Sequence, residues 1–445
     1  MMQSPRQIAI KVLVGAAHKG QPVDRIFDQQ QAGRSHGDQR DTQLAMALVY
    51  GVLRWQGYLD QVIAGFSSHP MTKMKPLTLA ALRVGAYQLL FMDRVPDSAA
   101  INETVQALKA AGQPKWLTGF ANGVLRALAR GRDAVLPAAS REALFLSHPS
   151  WLVARWRQRY GDEVAEEICR ANNGQPLLVL RVNTRRIGRQ GYLRLLTDAA
   201  VEAEGGAYAP DAIRLIGYRG GIADLPGYGE GLFQVQDEAA QLATLLLGEL
   251  KVGRYLDGCA GLGGKTSHMA QLLPAGGEVV AVEPHGGRRK LLRENLNRLG
   301  LDATVFEGEL QSFAKAQPQP FQGILIDAPC SGLGVIGRQP DIRWQRSEVD
   351  LPRYAARQRD LLEKAATLLA PGGVLVYATC STEPEENEGV VTSFLASHPE
   401  FVVADANSFL PAPARKMVDN HGHLRTLPHH GLDGFFAARL EKKGS

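Results

Sequence analysis

Cysteine is scarce in this chain: four residues in 445, at positions 169, 259, 330 and 380. No two have Cys-x-x-Cys spacing, so neither a disulfide framework nor a zinc site is indicated, and a reducing, cytoplasmic setting is expected. Apolar runs of membrane-spanning length are missing. The opening Met1-Met2-Gln3-Ser4-Pro5-Arg6 has nothing resembling the apolar segment of a signal peptide. Internal repeats and low-complexity tracts are absent as well. His421, His423, His429 and His430 gather near the C-terminus without metal-ligand spacing, so they read as a surface loop and no metal is expected. What remains is 45% hydrophobic and 21% charged, the balance of a globular chain. It is too long for one ordinary core and implies two or three domains.

The net charge of +5 is modest but uneven. Residues 1–150 carry 17 Lys and Arg against 10 Asp and Glu, while the other 295 residues hold 33 against 35. A basic first third suits a polyanionic partner. Charge alone fits an ordinary solvated basic surface equally well.

The first 130 or so residues read as helical. Leu44, Leu48, Val52, Trp55, Leu59 and Val62 recur at spacings of three and four. Further stripes follow at Leu79, Leu82, Ala86, Leu89 and Leu90, at Ile101, Val105 and Leu108 after the start signal Pro96-Asp97-Ser98, and at Trp116, Phe120, Val124 and Leu128. A helical bundle is expected. The polar stretch Gln29–Asp41 reads as a loop whose Arg34, His36 and Arg40 are candidates for phosphate contact.

Beyond Leu136-Pro137 the pattern becomes mixed, with a helix over Trp151–Ala171 and strands at Leu177–Asn183, Ala212–Ile216 and Leu232–Val235. From Asp237 onward, apolar strands at Tyr255-Leu256, Val279–Val282, Gly323–Ile326 and Val374–Tyr377 alternate with helical segments. That alternation predicts a doubly wound parallel sheet, with ligands outside the carboxyl ends of its strands.

At one such end lies Asp257-Gly258-Cys259-Ala260-Gly261-Leu262-Gly263-Gly264-Lys265-Thr266. Its glycines permit close backbone approach to a ligand, and the helix that follows offers a positive end. The phosphate-binding pattern Gly-x-x-x-x-Gly-Lys-Thr fails here because its first glycine falls on Cys259. Gly-x-Gly-x-x-Gly is not met either. Glu283 ends the next strand at a distance suited to ribose hydroxyls. An adenosyl cofactor such as S-adenosylmethionine fits best, and a Gly-rich turn with no ligand is the alternative.

Two thiols stand just past other strand ends, Cys330 in Asp327-Ala328-Pro329-Cys330-Ser331 and Cys380 in Thr379-Cys380-Ser381. A thiolate both attacks carbon and departs from it, its pKa lowered from about 8.5 by a positive environment. Carbon-5 of a cytosine is too weak a nucleophile to take a sulfonium methyl until a thiolate adds to carbon-6. Asp327 is the candidate to stabilise the protonated adduct. Cys169, in an amphipathic helix, reads as core, and Cys259 as a backbone contributor.

These segments resemble the Nop/Sun-type RNA cytosine-5 methyltransferases, most closely the bacterial ribosomal RNA branch also called Sun or Fmu. The likeness covers nearly all 445 residues. It is carried by Asp327–Gly334, Pro340-Asp341-Ile342-Arg343-Trp344, Tyr377–Ser381, Glu383-Pro384-Glu385-Glu386-Asn387-Glu388 and Asp433-Gly434-Phe435-Phe436. It implies a multidomain fold: an N-terminal all-α NusB-like RNA-binding bundle over 1–140, a small α/β linker domain over 145–235, and a C-terminal α/β Rossmann-like S-adenosylmethionine-dependent methyltransferase sheet over 236–445. It also implies that Cys380 is the nucleophile, that Cys330 resolves the adduct, and that Asp327 lies near cofactor and base. Cys259, Ala260, Gly261, Leu262, Gly263, Gly264 and Lys265 would contact the cofactor, Glu283 its ribose and Glu309 its adenine. Arg338 and Arg343 would hold the substrate strand, helped by Trp344 unless that side chain is core.

Three departures from the family pattern bear on the cofactor and the strand. Leu262 stands where a proline is usual, Glu283 and Glu309 replace aspartates, and Gly337 replaces one arginine of an Arg-Arg-x-Pro pair. The expected activity is 5-methylcytosine formation in small-subunit (16S) ribosomal RNA by a monomer with no membrane partner. The alternatives are a non-catalytic RNA-binding assembly factor and the same chemistry on transfer RNA.

Overall fold

A computed structural model describes residues 3–17, 21–31, 39–316 and 319–444. Arg34 and His36 lie outside these residues. The chain divides into two compact units, Met1–Gln175 with Ile336–Glu348, and Pro176–Val335 with Val349–Ser445.

The first unit is helical: α1 (Pro5–Ala16), α2 (Val23–Gln31), α3 (Gln39–Phe66), α4 (Pro76–Phe91), α5 (Asp97–Ala110), α6 (Lys115–Gly131), α7 (Arg141–Leu146) and α8 (Ser150–Asn173). Local chemistry sets several starts. The Ser4 side chain accepts from Gln7 N, Gln7 answers in a capping box, and Pro5 opens α1 where its missing N–H costs nothing. The predicted stripe on α3 faces inward, with Leu48, Val52, Leu59 and Val62 buried. Two expectations change. Helices α2 and α3 extend into the stretch read as a loop, ending at Gln31 and starting at Gln39. On α6 the inward stripe is Leu117, Ala121, Val124 and Leu128, whereas Trp116 is 71% exposed in the first turn. Helix α8 and the residues up to Gln175 fall within this unit by contact.

The second unit begins with a four-stranded antiparallel sheet, ordered β2-β3-β1-β4. Its members are β1 (Leu178–Val182), β2 (Ala203–Gly205), β3 (Ala212–Leu215) and β4 (Phe233–Val235), with α9 (Arg189–Asp198) laying Tyr192 and Leu196 into its core. The larger sheet runs through β5 (Arg254–Asp257), β6 (Glu278–Glu283), β7 (Thr304–Glu307), β8 (Phe321–Asp327), β9 (Leu369–Thr379), β10 (Phe401–Ala404), β11 (Leu424–Thr426) and β12 (Phe435–Lys442). Its helices are α10 (Glu238–Leu245), α11 (Gly264–Leu272), α12 (Gly286–Leu299), α13 (Leu310–Ala316), α15 (Leu351–Leu368) and α16 (Glu388–Ser397), while α14 (Ile342–Gln345) belongs to the first unit.

The strand order is β10-β12-β9-β8-β5-β6-β7, with β11 beside β12. Strands β5 to β9 pair in parallel, but β12 runs antiparallel to β9 and β10, so the sheet is mixed rather than purely parallel. Alternate residues feed opposite faces, as the pleat requires. Tyr255, Ala281, Leu325, Val376 and Ala437 join one core, and Leu256, Val280, Ile324, Leu375 and Phe436 the other. Burial on both faces explains why these strands read as continuous apolar runs. The parallel strands β5, β6, β7, β8 and β9 end at Asp257, Glu283, Glu307, Asp327 and Thr379.

Candidate active site

The turn after β5 is fixed from below. Asp257 is fully buried; its carboxylate accepts from Thr266 Oγ1 at 2.7 Å and from Cys259 N at 3.3 Å. Burial raises this carboxyl to about 6, opposed by the Thr266 hydrogen bond and Lys265. Gly263 caps α11 with φ +87°, where a side chain would be strained and its Cβ would meet Leu292 Cδ1 at 2.3 Å. Gly261, at φ +56°, faces open space: an added Cβ would meet nothing within 4 Å. Glu283 lies beneath this loop, its Oε2 accepting from Gly261 N at 3.0 Å and Oε1 from His285 N at 2.8 Å. Leu262 is exposed and its carbonyl accepts from Asn295 at 3.0 Å. Glu309 is exposed before α13, its carbonyl taking the Ser312 and Phe313 N–H groups. The Cys259 thiol is pushed up by burial and by Asp257, which keeps it protonated.

Arg181, a single charge in the apolar strand β1, is a support the sequence reading passed over. It is fully buried and donates to Gly264 O at 2.7 Å, Ser267 Oγ at 2.8 Å, Gln271 Oε1 at 3.3 Å and Gln236. Burial lowers its pKa to about 9. An isolated arginine within Leu-Val-Leu-Arg-Val was the available signal.

Lys265, in the first turn of α11, donates to Asp327 Oδ2 at 2.6 Å and lies 5.0 Å from the Phe435 ring. Beyond Asp327, backbone bonds hold both cysteine loops: Ala328 N to Ala378 O at 2.8 Å, Gly334 N to Cys380 O at 2.9 Å, and Gly434 N to Gly334 O at 2.8 Å. Adjacent strands β8 and β9 therefore deliver the two thiols to one place, with Cys330 Sγ and Cys380 Sγ 3.2 Å apart. Both are free and half-buried. The Cys330 thiol is pushed well above its usual range by its hydrogen bond to Cys380 and by burial. Cys169 is buried core, pushed up to about 12 by desolvation.

Arg343 is a correction. It is fully buried in the first unit, donating to Arg54 O, Ser147 O, Asn173 Oδ1 and Asn172 O at 2.8–3.1 Å. A guanidinium so engaged ties helices together and has no exposed face for a phosphate. Trp344 is core beside it, its Nε1 donating to Leu53 O at 2.7 Å. Arg338 is half-buried in the same segment. His423, expected in a surface loop, is buried with its ring 5.1 Å from Phe436. Among the described residues no cluster of His, Cys, Asp and Glu could hold a metal, and no helix is long and apolar enough to cross a membrane.

Comparison with known proteins matches this architecture. Residues 245–441 match the model of the 16S rRNA methyltransferase RsmB/F family, 3–130 that of the NusB family, and 148–219 that of the RsmF/B-like ferredoxin-like domain. The ribosomal RNA small subunit methyltransferase B of Pseudomonas syringae pv. tomato is 40% identical over 410 residues, 91% of this chain and 90% of that one. A probable ribosomal RNA small subunit methyltransferase B of Bacillus subtilis is 35% identical over 451 residues, 99% of each. Among solved structures, PH0851 superposes with a TM-score of 0.80 at 26% identity, covering 99% of this chain and all of its own. A methyltransferase homolog from Pyrococcus horikoshii gives 0.58 at 28% identity, covering 69% of this chain and 99% of that one. Likeness of this strength over almost the full length places the chain in the ribosomal RNA small subunit methyltransferase B family.

Proposed function

We propose that this protein methylates carbon-5 of a cytosine in small-subunit ribosomal RNA, with S-adenosylmethionine as donor and a transient bond from Cys380 to carbon-6. The observation that carries the reading is the 3.2 Å pairing of two free thiols at neighbouring strand ends. It is the arrangement needed when one sulfur must attack and leave while a second group handles a proton.

The loop suits an adenosyl group. Gly261 leaves an open face, and Glu283 offers two carboxylate oxygens from below it, suited to ribose hydroxyls. Lys265 and the loop backbone would complete the cradle. Bound there, the cofactor would supply a methyl group on a sulfonium.

The protein's own part is thiol chemistry. The Cys380 sulfur forms a bond to carbon-6 and displaces the ring's π electrons toward carbon-5. Asp327, steadied by Lys265, faces the ring-nitrogen edge in this scheme and stabilises the adduct. Once the Cys380 sulfur is bonded to carbon-6, Cys330 is freed of its hydrogen bond to that thiol, the largest of the influences that raise its pKa. With the methyl group on carbon-5, Cys330, its proton lost to solvent, would take the carbon-5 proton; the C5–H pair then re-forms the C5=C6 bond and the S–C6 bond breaks with its electron pair returning to Cys380. The base must be unstacked or already single-stranded for the thiol to reach carbon-6 from one face.

The test is a denaturing gel with labelled cofactor and ribosomal RNA. Cys330→Ala is expected to accumulate a denaturation-resistant protein–RNA band that vanishes when Cys380 is also changed to Ser. A band that depends on Cys330 would reverse the thiol roles. Methylation of transfer RNA alone would overturn the substrate assignment.

A further inference from the structure

We propose that Glu386 is the positioning residue that holds the two thiol-bearing loops in register. The inference rests on the thiol chemistry proposed above and adds a group that no part of that scheme uses. Glu386 is fully buried in the turn between β9 and α16. Its Oε1 accepts from Ser331 N at 2.8 Å and from Gln358 Nε2 at 3.0 Å; its Oε2 accepts from Ser381 Oγ at 2.6 Å and from Ser331 Oγ. Ser331 directly follows Cys330, and Ser381 directly follows Cys380. One carboxylate thus ties down the residue beside each sulfur, on loops that leave two different strands.

The tie is built for a carboxylate. The Ser331 N–H is an obligate donor and both hydroxyls are turned inward, so four donors converge on two oxygens. Gln358 extends the brace, since its Nε2 also donates to Pro329 O at 3.1 Å on the Cys330 side. Tyr377, on β9, donates to the Glu386 carbonyl and fixes the turn itself. The same negative charge lies near Cys330 and adds to the forces that keep that thiol protonated. Glu386 touches neither sulfur and acts through its neighbours.

The experiment compares wild type with Glu386→Gln, Glu386→Asp and Ser381→Ala, all as full-length protein. The first readout needs neither cofactor nor RNA: alkylation of Cys330 and Cys380 by iodoacetamide across pH, resolved by peptide mass spectrometry. Wild type is expected to label Cys380 first and Cys330 only at higher pH. Glu386→Gln is expected to bring the Cys330 midpoint down by about one pH unit and so narrow the separation. The second readout is methyl transfer, with kcat falling at least tenfold while KM for the cofactor holds within about twofold, as loss of transition-state alignment predicts. Glu386→Asp, one methylene shorter, should retain the charge and recover the alkylation profile more than the rate. Ser381→Ala removes one strap without touching the carboxylate and decides the matter if Glu386→Gln does not fold. Wild-type alkylation profiles and wild-type kcat in folded Glu386→Gln, or wild-type kcat in Ser381→Ala in its place, would overturn the proposal. If wild type transfers no methyl group, the functional reading fails, and the alkylation arm still judges Glu386.

Discussion

Lys265 donates to Asp327 across the gap between α11 and the end of β8, at 2.6 Å. This bond joins the Gly-rich loop to the strand end that leads into Cys330, so the two halves of the site share one ion pair. Lys265 is nearly buried and Asp327 about one-third exposed, which places the pair between the surface and interior regimes. Lys265→Met is expected to lower stability by about 1–2 kcal/mol. Methyl transfer should fall more than tenfold, because the Asp327 carboxylate loses its partner. Thermal unfolding and initial rates check both parts, and an unchanged rate would remove Asp327's partner from the chemistry.

Gly334 and Gly261 should fail in different ways. A Cβ on Gly334 would lie 1.9 Å from Gly434 O and 2.9 Å from Cys380 O, both backbone atoms that cannot yield. Gly334→Ala is expected to cost about 3 kcal/mol or more and to separate the thiol loops. Gly261→Ala meets no protein atom, so its stability cost is the positive-φ strain of about 1 kcal/mol. Its effect should appear instead as weaker cofactor binding, read by calorimetry. Equal cofactor affinity in Gly261→Ala would place the cofactor elsewhere.

Arg343→Ala tests the reassignment of that residue. It removes four hydrogen bonds inside the first unit and is expected to cost about 3 kcal/mol. Denaturant unfolding measures that loss. RNA affinity at a temperature where the variant is folded should show an unchanged salt dependence, because no phosphate contact is lost. A slope reduced by about one would restore the substrate role.

Asp257 predicts a pH dependence. Its folded pKa, about 6, lies above its ordinary 3.8, so the folded state holds this proton more tightly than the unfolded chain. The stability it contributes is complete below about pH 4 and is lost as pH rises to about 6, by roughly 3 kcal/mol at most. Against Asp257→Asn, wild type should therefore lose unfolding free energy across pH 4–6 and run parallel above it. Chemical denaturation at several pH values gives the difference, and parallel curves throughout would contradict the burial of this carboxyl.

Much of the fold was legible because burial writes a period into sequence. The α3 stripe and the apolar runs of β5, β6, β8 and β9 all lie where periodicity put them. Strands β2, β7, β10 and β11 were not named: at three or four residues each, they are too short for alternation to stand out. Strand β12 was not named either, and its antiparallel pairing with β9 is a choice between segments distant in sequence. Trp116 misled because one position of slippage around α6 exchanges Leu117 for Trp116 on the inward face.

At the candidate site, sequence determined which atoms are available: two thiols after strand ends, a glycine loop, and acids at Asp257, Glu283 and Asp327. Those identities follow from residue chemistry and local spacing, which a linear chain displays. Only the tertiary structure decided what each one meets. It brought Cys330 to 3.2 Å from Cys380 across fifty residues, and drew Glu386 to both adjacent serines. It also turned Arg343 inward, where desolvation is offset by three carbonyls and an asparagine. Charge and motif are the same for a solvent-facing arginine and a buried one. Which outcome prevails depends on whether packing supplies enough acceptors to replace water, and that is settled by residues far away in the chain.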